Sequence, residues 1–185
     1  PYSRWEIKYR NPVMQVNSPP GKTTYYARIE SQGSLVLRFN AHTPDAFDWK
    51  KEGEMPWLWL YYGMMIAIAI YNLFIYLSVR EITYLNLVFF IICIAVFSLV
   101  YNGMAPGLFW PDSVWLTNHA NPFLVMMACA STIMFSISFL SFRKYYPRFT
   151  RIIHFIIYFC LFASVMSLVL PYYLMTRLSV YLIII

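Results

Sequence analysis

Acidic residues all but vanish from this chain after its first third. Six of its eight Asp and Glu lie in residues 1–56, and residues 57–185 keep only Glu81 and Asp112. Charge as a whole is scarce, at 12% against 60% hydrophobic residues, which exceeds the balance of soluble domains and points to the membrane class. Cysteine is nearly absent too. Cys93, Cys129 and Cys160 each fall near the middle of a different apolar run, with no C-x-x-C spacing. That excludes a disulfide scaffold or a zinc site and reads as small buried apolar residues. Paired catalytic carboxylates, a Ser/His/Asp set and a P-loop or other phosphate-binding glycine motif are also missing. No catalytic residue, cofactor or metal ion is therefore expected, and the window does not read as an enzyme. The net charge of +6 does not imply nucleic acid. Nucleic-acid binders gather Lys and Arg on one face, whereas here they stand at the ends of apolar runs, which suits a lipid bilayer as partner.

The first 56 residues have a different texture. From Arg4 to Arg10, Trp5, Ile7 and Tyr9 alternate with Glu6, Lys8 and Arg10, the period of a β-strand. Two further β-prone runs, over residues 23–30 and 34–40, flank Gly33 and predict a hairpin over about residues 23–42. Residues 48–56, with Gly53 and several charges, read as a linker. Trp5, Tyr25, Tyr26 and Trp49 suit either a sugar-stacking surface or the core of a sheet.

Residues 57–79, 84–104, 122–142 and 152–170 are each apolar and long enough to cross a bilayer as a helix, at about 1.5 Å per residue. A fifth run starts at residue 178. β-Barrel strands would alternate in polarity, and these runs do not. Basic residues orient the bundle. Arg80 lies between the first and second runs, and Arg143, Lys144, Arg148 and Arg151 lie between the third and fourth. The loop between the second and third has none. The two basic loops are then cytoplasmic and the β segment is extracytoplasmic. Trp57, Trp59, Tyr61 and Tyr62 fit an outer aromatic belt. The chain starts without Met and stops inside the fifth run, so it reads as a window of a longer protein.

Polar residues inside or beside the runs are the candidate functional residues. Trp110, Asp112, Trp115 and His119, in the outer loop, suit either a small ligand pocket or a lid packed on the bundle. Ala128, Thr132 and Ser136 recur every four residues, a stripe that lets a neighbouring helix approach and bond across it. Asn72 and Asn86 are expected to face the bundle, because an unsatisfied amide in hydrocarbon is costly. His154, just inside the fourth run, suits an interfacial role or a helix-to-helix or proton-linked switch.

In order along the chain, Gly63, Tyr71-Asn72, Arg80-Glu81 and Tyr84, then Gly103 to Pro111, Trp115 and the helix at Pro122, resemble the bacterial seven-transmembrane receptors with diverse intracellular signalling modules. Residues 12–47 resemble the C-terminal part of that family's second type of extracellular domain, a β-sandwich similar to carbohydrate-binding modules. The resemblance implies a fold and a division: residues 1–47 as the end of an extracellular β-sandwich, residues 48–56 as a linker, and residues 57–185 as part of a seven-helix membrane bundle. It also implies a function. A small-molecule ligand, of carbohydrate type by the chemistry of the outer domain, is expected to be sensed outside and a histidine kinase or diguanylate cyclase to respond inside. A homodimer formed through the full-length protein, in the bacterial inner membrane, belongs to the same expectation. The competing class is the membrane domain of a transporter or enzyme subunit, which tends to show broken helices and polar groups at the midplane.

Overall fold

The computed structural model describes residues 1–16, 19–26, 39–140 and 147–170, with residues 147 and 148 for their backbone alone. Its body is helical. Helix α1 spans Pro44–Val79, α2 Ile82–Tyr101, the single turn α3 Ala105–Leu108, α4 Val114–Phe139 and α5 Pro147–Met166. Four of these, all but α3, are long and apolar enough to cross a membrane.

Caps set the helix boundaries, and they move two of them outward from the apolar runs. Thr43 caps α1, its hydroxyl accepting from the Ala46 amide at 3.4 Å, with Pro44 in the first turn and Asp45 beside the positive end of the helix dipole. The segment read as a linker, residues 48–56, is therefore helical. Pro56 does not stop it: a proline leaves one carbonyl unpaired a turn earlier, here that of the exposed Glu52. With 36 residues, α1 is about 54 Å long, well beyond a hydrocarbon core of about 30 Å. Its charged first turns thus stand outside the bilayer. Likewise α4 starts at Val114, not 122, because the Ser113 hydroxyl accepts from the Leu116 amide at 3.2 Å, and Pro122 is carried inside the helix. Arg80 ends α1 in the left-handed region at φ 58°, its amide on the Tyr76 carbonyl at 2.7 Å.

The helices pack in chain order: α1 on α2, α2 on α4, α4 on α5. Helix α4 is therefore covered from two sides, and its burial pattern records it. Ala120, Pro122, Leu124, Met126, Ala128 and Ala130 are all buried at every second position. Steps of two residues turn about 200° on a helix, so such a series alternates between opposite faces. Toward α2, Ser131 meets Cys93, Phe135 stacks on Phe90 at 5.8 Å, and the Ser138 hydroxyl lies 3.0 Å from that of Thr83. Toward α5, Ala130, Ile157 and Cys160 form the core, flanked by Ile133, Met134, Ile137, Ile153 and Leu161. Ala130 is 0% exposed and Cys160 1%, so small side chains set the close approach of these two helices. The Ser164 hydroxyl donates to the Phe123 carbonyl across it at 3.0 Å.

The described residues contain no strand. Residues 2–4 form a 3-10 turn where the alternation predicts a strand over 4–10, and the chain then runs on through bends. A strand needs a partner to take its backbone hydrogen bonds, and none is described beside it. The alternation survives only in part as burial: Trp5 and Ile7 are half-buried and Tyr9 buried, Glu6 and Lys8 are exposed, but Arg10 is half-buried too. The centre of the expected hairpin, residues 27–38, and the fifth run at residue 178 lie outside the described residues. Tyr26 at 95% and Trp49 at 82% exposure do not form a sheet core.

Candidate functional site

At the outer end of the bundle the N-terminal segment is held from two sides. One side is the projecting start of α1. Phe47 and Glu54, seven residues apart, share a face of that helix. Tyr9, 4% exposed, meets both: its ring lies edge-on to Phe47 at 5.2 Å and its hydroxyl donates to Glu54 Oε2 at 2.7 Å. Arg10 Nη2 donates to the same oxygen at 2.7 Å, and Arg10 Nε to the Tyr9 hydroxyl at 3.4 Å. One carboxylate oxygen thus accepts a neutral and a charged donor. Burial first, and then the bond to Glu54, push the Tyr9 phenol above its ordinary value of 10.0.

The other side is the loop between α2 and α4. The Ser3 amide donates to the Pro111 carbonyl at 3.1 Å. Gly107 lies under the Tyr2 ring, with ring atoms 3.0 to 3.2 Å from where a Cβ would stand. Gly103 has φ +72°, and a Cβ there would also collide with the Arg10 carbonyl. That position needs glycine on both counts. Its neighbour Asn102 donates from Nδ2 to the Tyr62 hydroxyl at 2.9 Å, and Tyr62 is buried on α1. A continuous path of contacts therefore runs from Tyr9 and Arg10 through Glu54, and through Gly103 and Asn102, into α1 and α2.

The sequence-derived outer-loop residues stand beside this junction, not at its centre. Trp115 and His119 come together on the first turns of α4, rings stacked at 4.9 Å, with His119 Nδ1–H donating to the Trp115 carbonyl at 2.9 Å. Trp110 instead stacks on Phe109 at 5.8 Å, and Asp112 is exposed in the turn before Ser113. Trp110 Nε1 and Asn121 Oδ1 are buried without a partner. Among the described residues no group of His, Cys, Asp and Glu is placed to hold a metal ion. Glu54, Arg10 and Asn102 were not legible as a site while residues 48–56 read as linker. The signal that finds them is the Thr43-Pro44-Asp45 helix start, which puts Phe47 and Glu54 on one helical face.

The inner end brings two of the candidates together. Asn86 of α2 and His154 of α5 both line a cavity of about 840 Å³ between α2, α4 and α5. His154 Nδ1–H donates to the Thr150 carbonyl at 2.7 Å. Asn72 is buried and donates to Ile68 of its own helix at 2.8 Å. The hydroxyls of Thr132 and Ser136 also bond back, to the Ala128 and Thr132 carbonyls at 2.7 and 2.8 Å. Polar contacts that do cross between helices, among the described residues, include Tyr62 with Asn102, Thr83 with Ser138, Cys93 with Ser131, and Ser164 with the Phe123 carbonyl. Arg80 and Arg151 are exposed at the cytoplasmic end, while Arg143, Lys144 and the Arg148 side chain lie outside the described residues.

A family model described as 7TM diverse intracellular signalling matches residues 54–185. A second, described as 7TMR-DISM extracellular 2, matches residues 1–43 and so ends at the Thr43 cap of α1. No curated protein matches the chain. No solved structure matches it either.

Proposed function

This chain belongs to the 7TM diverse intracellular signalling family, and from that premise we propose that it is the sensing half of a bacterial signal transducer whose output domain is a cytoplasmic histidine kinase or diguanylate cyclase. A membrane receptor module with an extracellular N-terminal domain follows from the family. The output domain, a small-molecule ligand of carbohydrate type, a homodimeric assembly and the inner membrane are our reading. The division of residues 1–47 from residues 57–185 is part of it, with the helical segment between them acting as a rigid lever and not a loose tether.

The observation that carries this reading is the Glu54 hub. Tyr9 and Arg10 belong to the segment that the extracellular family model matches, and Glu54 belongs to the helix that enters the membrane. Ligand binding that favours one seating of residues 2–10 over another biases α1 and the α2 end together. Such a bias requires different ligand affinities for the two seatings.

A charge-reversal cycle tests it. In the full-length receptor, Arg10→Glu and Glu54→Arg each shift the basal activity of the output domain, and the two together restore it toward wild type. Removing a hydrogen bond to a charged group costs about 1.5–3 kcal/mol, enough to reset a two-state equilibrium. Unchanged output in both single variants defeats the coupling route.

A further inference from the structure

The cavity at the inner end takes no part in the outer junction. Glu81, Ile82, Thr83, Ile137 and Ser138 stand at the helix ends, with Asn86 and His154 a turn or two in from them. Met134, Ile157, Tyr158 and Leu161 lie farther in. From His154 to Leu161 is about two helical turns, or about 10 Å along α5. The cleft therefore starts at headgroup depth and reaches into hydrocarbon.

The direction of its hydrogen bonds can be worked out. The Thr83 hydroxyl donates to Glu81 Oε1 at 3.2 Å. A hydroxyl has one proton, so the 3.0 Å bond between Thr83 and Ser138 must run from Ser138 to Thr83. Both hydroxyl protons are spent toward the carboxylate. The Nδ1 proton of His154 is spent on the Thr150 carbonyl, which leaves Nε2 of the neutral ring as an acceptor. What the polar rim offers is then acceptors: the Glu81 carboxylate, the Ser138 oxygen and His154 Nε2, with the Asn86 amide and, deeper on α5, the Tyr158 hydroxyl able to serve either way. Among the described residues no Lys or Arg lines the cleft. Arg151 lies one turn toward the cytoplasm from His154.

We propose that this cleft is a binding site for an amine-bearing phospholipid of the inner leaflet. Its primary ammonium is received by Glu81, Ser138 and His154, its acyl chain lies along Met134, Ile137, Ile157 and Leu161, and Arg151 stands at the level of its phosphate. The complementarity is of charge and of donor count together. A trimethylated headgroup carries the same charge but no N–H, and a glycerol headgroup carries no cation.

The full-length receptor, released from membranes and mixed with equal phosphatidylethanolamine, phosphatidylcholine and phosphatidylglycerol of matched chains, provides the test by native mass spectrometry. Wild type retains phosphatidylethanolamine roughly tenfold over the other two, the worth of one charge-assisted hydrogen bond. Glu81→Gln, an isosteric change at an exposed helix start, removes the preference while keeping some lipid of each kind. Leu161→Trp, which fills the deep part, lowers retention of all three. Equal retention of the three lipids by wild type overturns the proposal, as does a preference that survives Glu81→Gln. Undiminished retention in Leu161→Trp overturns it too, since the cleft is then covered by protein.

Discussion

At the scale of single residues, the outer junction rests on backbone contacts that tolerate no added atom. A Cβ at Gly103 collides with the Arg10 carbonyl, and φ +72° is unfavourable for any other side chain. Gly103→Ala is expected to cost roughly 1–2 kcal/mol of seating free energy from the left-handed conformation alone. It should release residues 1–10 while leaving the bundle intact, read as faster limited proteolysis of the N-terminal segment at unchanged helical content. Tyr9 gives the junction a pH dependence. Its phenol is raised above 10.0, by burial first and Glu54 second. A group raised in the folded state adds stability that is complete below the unfolded value and is lost as pH climbs through the raised one. The junction is therefore expected to hold through neutral pH and loosen under alkaline conditions. It loosens under acid too, since Glu54, held below the usual carboxylate value by its bond to Tyr9 first, adds stability that is lost as pH falls through that lowered value. Tyr9→Phe should remove that alkaline step from a proteolysis profile against pH. Little of this was legible in the sequence: tyrosine, arginine and glutamate 44 or 45 positions apart carry no local pattern.

At the scale of elements, the sequence announced the membrane helices but not where they begin. Apolar content marks the part of a helix inside lipid, whereas caps such as Thr43 and Ser113 mark its ends in water. Both helices consequently start earlier than their apolar runs. The stripe of Ala128, Thr132 and Ser136 illustrates a second limit. Spacing by four picks out one face, but α4 is buried on two, and the closest contact runs through Ala130 and Ser131. Hydroxyls on a helix have their own carbonyls within reach, and Thr132 and Ser136 use them. Ala130→Leu should overpack the contact with Ile157 and Cys160 and destabilise the bundle by about 1–3 kcal/mol. Ser164→Ala, which loses one interhelical bond, should cost only about 0.6 kcal/mol. Unfolding in mixed micelles separates the two values. Equal effects would mean that packing at Ala130 is looser than its 0% exposure indicates.

At the scale of the whole molecule, the order of parts was readable from composition alone: a polar, β-prone start, then long apolar runs with basic residues at alternate ends. The alternation of residues 4–10 pointed to a strand that the described residues do not form, since strand hydrogen bonding depends on a partner that local sequence does not supply. Arg10 on its polar face is half-buried like Trp5 and Ile7. Large apolar side chains along α1, Ile66, Phe74 and Leu77 among them, face outward, as a lipid-facing surface allows. The central claim is that the N-terminal segment, seated on the outer loop, sets the state of the bundle. Ser3 and Pro111, joined by a backbone bond of 3.1 Å, are the place to test it. A Ser3→Cys, Pro111→Cys pair in the full-length receptor should crosslink in native membranes and hold the output domain in one state, with reduction restoring its freedom to respond. A pair that fails to crosslink, or a crosslinked receptor whose output still switches as the reduced one does, would contradict the claim.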